Sequence, residues 1–174
     1  MTNLEELAQL VLEEEEELGN HSLNIPNLIV SISLIGQTAV RYDMDHSVCF
    51  AIHKISNFWR ESPPLLPLAL PNFNIAMSAI ESHSPLADNY VNLVISSIDD
   101  LSESFLEIGN EGAVEEILDA LHLFAHFANE KREKETVVKS LDVISKIRES
   151  APPGKLKNLA EIYLNQFGLQ YPEA

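Results

Sequence analysis

The stretch HSVCFAIH, residues 46–53, carries three side chains that can bind a metal ion or do thiol chemistry. On a helix the spacing puts His46, Cys49 and His53 on one face, and all three residue types are zinc ligands. A structural zinc site needs four ligands, usually from two elements of structure, and Cys49 is the only cysteine in the chain. The stretch therefore predicts a packing helix that carries these residues on its outer side, and no metal site.

A second group of this kind lies in the segment EEILDALHLFAH. Glu115, Asp119, His122 and His126 share one helical face, which we call the polar face. Asp119 and His122 have the carboxylate-x-x-His spacing of di-iron helical bundles, but such bundles need two such pairs and two further carboxylates that project into a core. The polar face lies opposite the apolar residues of the same helix, so we expect it to point outward into solvent. A metal-binding helical protein that uses these outward His, Cys and Asp clusters is the alternative function.

Other catalytic patterns are missing from the sequence. It contains no Gly-rich phosphate loop, no GxSxG, no HExxH and no paired CxxC motif. A neighbouring imidazolium could activate the Cys49 thiol, but a catalytic site also needs a pocket and oxyanion donors, and no pattern indicates either. We therefore predict no catalytic, cofactor-binding or metal-ligating residue, and no enzyme activity.

The spacing of apolar residues is helical almost throughout and predicts an all-α protein of about eight helices. The segment around VSISL, within 26–41, also alternates like a strand, but we predict a helix there. The charged run EKREKE, 130–135, is either a tight connection or a solvated continuation of a helix. The expected helices lie at about 2–18, 26–41, 45–60, 72–82, 84–108, 111–130, a seventh that ends near 148, and 155–167.

Four of these helices contain a similar eight-residue phrase. The phrases are VCFAIHKI from Val48, VISSIDDL from Val94, VEEILDAL from Val114 and VVKSLDVI from Val137. Positions one, four, five and eight of each phrase form a single helical stripe, and a stripe of this kind is typically buried. The stripe predicts these core residues: Ile52, Ile55, Ile98, Leu101, Leu118, Leu121, Leu141 and Ile144.

The phrases resemble the second helix of HEAT- or armadillo-type repeats, in which an Asp-containing turn precedes valine, a small residue and two aliphatic residues. The segment DHSVCFAIHKI, 45–55, has this form. The basic residue common just after the valine is replaced here by Cys49, Ile95, Glu115 and Val138. A shift of about 89 residues also lays the second and third helices over the sixth and seventh, and repeats near this length usually mean stacked helix pairs. The resemblance implies a single domain, 1–174, with two similar four-helix halves, 1–83 and 84–174, as a short HEAT-like solenoid or a compact helical bundle.

The net charge of −16 is unevenly distributed along the chain. Residues 61–130 contain 12 acidic and no basic residues, whereas residues 131–174 contain 8 basic and 6 acidic ones. Such an acidic span repels phosphate backbones, so we expect no nucleic-acid partner. No apolar run is long enough to span a bilayer, and the N-terminus lacks a signal-peptide pattern. A single cysteine allows no disulfide within the chain, which favours a cytoplasmic protein. We also expect no membrane partner and no cofactor.

The acidic residues of the fifth and sixth helices suggest the function. They lie on one flank of each helix and merge into one negative surface if the two helices are neighbours. We predict a non-catalytic protein–protein interaction or regulatory module whose partner is a protein, through a basic segment. A solvated surface that keeps the protein soluble is the other interpretation, and the oligomeric state is not predicted. The acidic surface comprises Asp99, Glu103, Glu107, Glu111, Glu115 and Asp119.

Overall fold

The structure is a computed structural model that describes residues 25–61 and 69–168. Within these two ranges it contains seven helices and no strand, so the predicted all-α class is confirmed. The first predicted helix, 2–18, lies outside the described residues. The helices are α1 (Ile25–Arg41), α2 (Asp45–Glu61), α3 (Ala69–Glu81), α4 (Ala87–Glu107), α5 (Glu111–Lys131), α6 (Lys134–Ser150) and α7 (Lys155–Gly168).

The segment with strand-like alternation is the helix α1, as predicted. Leu28, Ile29 and Ile32 are buried, whereas Val30 and Leu34 are exposed. Burial at i, i+1 and i+4 is a helical stripe and would not fit the two-residue period of a strand. Packing of this stripe decides the structure, because β-branched residues alone disfavour a helix only slightly.

A single dipeptide ends α4 and begins α5. Gly109 has a left-handed backbone with φ of 70°, and its N–H donates to the Leu106 carbonyl at 3.1 Å, while the Asn110 N–H donates to the Phe105 carbonyl at 2.9 Å. This pair of bonds is a Schellman turn, which satisfies the last carbonyls of α4. The Asn110 side chain then accepts the Ala113 N–H at 3.2 Å and caps α5.

Three other turns use the same left-handed backbone without glycine. The residues are Asp43, His83 and Arg132, with φ of 53°, 52° and 66°. At the last of these, the N–H of Glu133 donates to the Ala128 carbonyl at 2.9 Å and α6 begins at Lys134. The charged run 130–135 thus contains a tight connection at Arg132 and Glu133, the first of its two predicted alternatives, while its other residues continue α5 or begin α6.

The chain divides into two compact units, Met1–Val94 and Ile95–Ala174, with the boundary inside α4. In the first unit α1, α2 and α3 all contact one another, and we call them the first triplet. In the second unit α5, α6 and α7 do the same, and we call them the second triplet. The predicted division into similar halves at residues 83 and 84 stays a prediction.

The recurring stripe forms much of the core. The first valine of every phrase is buried, and so are all but one of the predicted core residues. The exception, Leu141, is half-buried and packs against a buried cluster that joins all three helices of the second triplet. The cluster consists of Ala125, Ala128, Val137 and Phe167.

Candidate functional site

The first group of chemical side chains lies on a single helix, α2. His46 and His53 are exposed and Cys49 is half-buried, as the helical wheel predicted. The thiol makes a polar contact with its own helix, where the Cys49 S–H donates to the Asp45 carboxylate over 3.7 Å. Neither imidazole takes part in this contact.

The environment of Cys49 opposes thiolate chemistry. Burial raises the pKa of the Cys49 thiol, and the negative charge and hydrogen bond of Asp45 raise it further. Burial and the same carboxylate also hold the pKa of Tyr90, on α4, well above its ordinary value. A thiol is activated by a nearby positive charge, whereas this one lies beside a carboxylate. The structure therefore gives no support to an activated cysteine.

The polar face of α5 lies against α7. Near the start of α5 the ammonium of Lys155 lies 2.6 Å from the Glu115 carboxylate. One turn further along, the Tyr163 hydroxyl donates to the Asp119 carboxylate at 2.5 Å. Both bonds join helices that also touch through their backbones, and both involve a charged partner, which makes them stronger than neutral hydrogen bonds.

The two histidines of the polar face complete this α5–α7 interface. The His122 ring stacks on Tyr163 with centroids 3.9 Å apart and planes 4° from parallel. Its Nε2 lies 2.6 Å from Gln166 Oε1 and 3.1 Å from His126 Nε2. The His126 ring in turn lies 4.6 Å from the ring of Phe167. Burial is the main reason that the pKa of His122 is lowered, with the neighbouring His126 acting in the same direction.

The expectation that the polar face points outward into solvent holds for Asp119, which is exposed, whereas Glu115, His122 and His126 are half-buried against α7. α5 is covered on two sides, because α6 and α7 both contact it. The rule that a surface helix buries one apolar stripe accounts for only one of these two neighbours. A signal was available in α7: Tyr163, Gln166 and Phe167 recur at three and four residues, which is a polar and aromatic face suited to receive histidines.

The possible metal ligands can also be compared in position. Within residues 25–61 and 69–168, no three side chains of His, Cys, Asp or Glu are placed to hold one metal ion. The polar face engages Lys155, Tyr163 and Gln166 instead.

The predicted acidic surface separates into two sets. Asp99 is paired with Lys146 of α6, while Glu115 and Asp119 are bonded to α7. The hydrogen bond to Asp99 is the main cause that raises the pKa of Lys146. The second set, Glu103, Glu107 and Glu111, is exposed and forms no ion pair within 4.0 Å in the part of the chain that the structure describes.

The two bases that pair with the acidic surface come from the C-terminal third of the sequence. Lys146 and Lys155 follow the span 61–130, which contains no Lys or Arg. The folding of α6 and α7 beside α5 brings positive charge to acids that have none nearby in sequence. Half of the acidic surface is thus neutralised or hydrogen-bonded inside the second unit.

Comparison of the chain with models of protein families, with curated proteins and with solved structures gave no match. No helix among the described residues is both long and apolar enough to cross a membrane.

Proposed function

We propose that this chain is a non-catalytic protein–protein interaction module of the helical-repeat type, which binds a basic segment of a partner protein. The binding surface is the exposed set Glu103, Glu107 and Glu111, which flanks the Gly109–Asn110 turn between α4 and α5. The HEAT-like arrangement of stacked helix pairs and the cytoplasmic location belong to the same proposal. The buried stripe shared by α2, α4, α5 and α6 supports the repeat.

The observation that carries the proposal is the contrast within the acidic surface. Asp99, Glu115 and Asp119 have partners inside the chain, whereas the exposed set has no ion-pair partner among the described residues. Charges already paired within the fold offer little to another protein, because a new partner would have to displace the old one. The exposed set can attract a basic segment without breaking an ion pair, and only Glu103 also feels the charge of Lys146.

The position of the exposed set adds a second argument. Glu103 and Glu107 lie in the last two turns of α4, whose last turn contains no basic residue. The helix dipole places partial negative charge at that end, so carboxylates there cost about 0.3–1 kcal/mol each. Two like charges at i and i+4 add a smaller repulsion. Glu103 and Glu107 therefore do not stabilise α4, which favours a role in binding, whereas Glu111 lies in the first turn of α5, where the helix dipole favours an acid.

The first experiment is capture of partners on the immobilised protein from a lysate of its native host, followed by titration of one identified protein. The triple variant Glu103→Gln, Glu107→Gln and Glu111→Gln should bind it at least about tenfold more weakly. Raising the salt from about 50 to 300 mM should weaken wild-type binding and leave the variant much less affected.

The matched control changes the same number of charges elsewhere on the exposed surface, with Asp88, Glu130 and Glu133 replaced by glutamine. This variant should bind nearly as wild type, because steering by net charge alone is weaker than a local contact. An equal loss of affinity in both triple variants would show that net charge alone causes the effect. No loss of affinity in either variant would reject the acidic surface as the binding site.

A further inference from the structure

We propose that His122 and His126 form an acid-sensitive latch that holds α7 on α5 near neutral pH and releases it in mildly acidic solution. This inference concerns the interior contacts of the second unit and does not depend on the proposed function.

The hydrogen bonds of the pair allow only one proton between the two facing nitrogens. Gln166 Oε1 accepts, so His122 Nε2 must carry the proton that it donates over 2.6 Å. His126 Nε2, 3.1 Å from the same nitrogen, must then present its lone pair. If the Gln166 amide is turned round, His122 Nε2 becomes the acceptor of both bonds. In either orientation one of the two rings has to be neutral with a bare nitrogen.

Acid removes that arrangement. An imidazolium carries a proton on both nitrogens and can accept no hydrogen bond. When both rings are protonated, two N–H groups face each other across 3.1 Å, and two positive charges lie in one half-buried interface. Like charges at this distance repel strongly where water is partly excluded.

The groups around the pair do not cancel this repulsion. Burial is the main cause that lowers the pKa of His122, and His126 acts in the same direction, against the hydrogen bond of Gln166 on α7 and the charge of Asp119, which favour the protonated form. On α7, Tyr163 stacks on the ring, and burial and Asp119 raise the pKa of Tyr163 to about 12, so its hydroxyl stays protonated in acid and neutral solution alike. Among the described residues, α6 contributes no group to the causes of the His122 shift.

The sign of the pH effect follows from this lowered pKa. Below about pH 6.5, the ordinary value for histidine, the detached form of α7 takes up protons that the docked form resists. The docked form is therefore fully favoured above that pH, loses stability as the pH falls through it, and loses no more once the pH is below the lowered pKa of the docked form.

The remaining contacts of α7 explain why this interface can open. Only Leu156, Ala160 and Phe167 are buried among the described side chains of α7. With so few buried side chains, the attachment of α7 to α5 depends in large part on its polar bonds, whereas its contact with α6 includes the ion pair of Arg148 with Glu161. Release of α7 removes Phe167 from the cluster with Ala125 and Ala128, and it takes Lys155 and Tyr163 away from the carboxylates of α5.

The test is amide hydrogen exchange of residues 155–168, corrected for the intrinsic effect of pH. Between about pH 7.5 and pH 5, protection of α7 in the wild type should fall about tenfold or more, while protection of α1 changes far less. The variant His126→Gln, whose side chain does not titrate, should lose most of this pH dependence. The variant His53→Gln, at an exposed histidine of α2, should keep it.

A wild-type α7 that exchanges equally at both pH values would overturn the proposal, as would an unchanged pH effect in His126→Gln. A second measurement is independent of any variant. The NMR titration of the His122 ring protons should follow the same pH midpoint as the opening of α7. Opening at a pH where this ring does not titrate would also overturn the latch.

Discussion

In both the first triplet (α1–α3) and the second triplet (α5–α7) all three helices contact one another, but the third helix packs mainly on the first helix in the first triplet and mainly on the middle helix, α6, in the second. The first and third helices of the two triplets are also joined by different chemistry. Between α1 and α3 the contact is close and buried. Between α5 and α7 it is partly exposed and consists largely of paired polar groups. The comparison separates helix packing that depends on shape from helix packing that depends on protonation and charge.

In the first triplet a glycine allows the close approach. A Cβ atom built on Gly36 would lie 2.6 Å from Ile75 Cδ1 of α3 and 3.0 Å from Ala51 Cβ of α2. The polar bonds between these helices are also buried: the Ser33 hydroxyl donates to the Pro71 carbonyl at 2.8 Å. None of these groups titrates near neutral pH, so the contact should be insensitive to pH.

In the second triplet, the polar contacts between α5 and α7 include two histidines, two carboxylates and a lysine. Each of these groups can change its charge or be screened by salt. The contacts of α7 around Phe167 are apolar. In the second triplet, α7 is thus attached to α5 in part by bonds that the solution conditions can alter, and it also packs against α6.

The largest expected effect tests whether the second triplet also has a rigid apolar core. Leu121 is fully buried on α5, and Leu121→Ala should lower the free energy of unfolding by about 2–5 kcal/mol, because it leaves a cavity. Chemical denaturation measures this. Leu123→Ala on the same helix, where the leucine is 54% exposed, is the control and should cost far less. A loss below about 1 kcal/mol for Leu121→Ala would contradict its place in the core.

The second prediction concerns the close approach in the first triplet. Gly36→Ala gains about 1 kcal/mol of helix propensity, but the added methyl group must displace the buried Ile75 side chain and the Ala51 methyl, at a cost of about 1–3 kcal/mol for overpacking. We expect a net loss of unfolding free energy, of about 1 kcal/mol, by the balance of these two effects.

Gly112→Ala is the matched control for Gly36→Ala. Gly112 also lies in a helix, and its nearest atom to an added Cβ is Asn110 Oδ1 at an ordinary 3.8 Å. This variant should be neutral or more stable by up to about 1 kcal/mol. Opposite signs for the two glycines would support packing by shape in the first triplet, whereas stabilisation by both would show that α1 and α3 have room to adjust.

The third prediction measures one bond of the α5–α7 interface. Tyr163→Phe keeps the ring that stacks on His122 but removes the hydroxyl that donates to Asp119. The expected loss is about 0.5–1.5 kcal/mol, the usual net value of a hydrogen bond. Tyr42→Phe, at a residue that is 73% exposed, should change nothing measurable. No loss in Tyr163→Phe would mean that the polar interface does not hold α7.

The smallest effect is expected for the surface ion pair. Lys155→Gln removes the partner of Glu115 from an exposed position, and such pairs contribute about 0–1 kcal/mol. The difference from wild type should shrink further at about 1 M salt, where the screening length is only about 3 Å. A loss of several kcal/mol that persisted at high salt would place Lys155 in a buried contact and contradict the exposed interface.

Much of the secondary structure was predictable because it depends on neighbouring residues. The predicted helices at 26–41, 45–60 and 111–130 match α1, α2 and α5 within one residue at each end. Gly109-Asn110 was recognised as a stop because glycine favours the left-handed backbone that a Schellman turn needs. The turn at Arg132 could not be predicted in this way, since arginine has no preference for the left-handed backbone that it adopts there.

The candidate site was predictable only in part. The helical wheel placed His46 and His53 correctly on the exposed side of α2, because a single helix determines which of its faces is apolar. It could not place His122 and His126, since their environment depends on α7, which follows about 30 residues later in the sequence. The same limit applies to the acidic surface, where the pairing of Asp99 with Lys146 joins residues 47 positions apart.

The sequence by itself determined the all-α class, the bounds of most described helices and the buried stripe, because these follow from side-chain periodicity and local backbone preferences. Only the tertiary structure decided which polar residues have partners. Glu115, Asp119, His122 and His126 have the pattern of a solvated helix face, yet α7 binds all four of them through a hydrogen bond, an ion pair or a ring contact. Which helix covers such a face depends on contacts between distant parts of the chain, and periodicity along one helix contains no information about them.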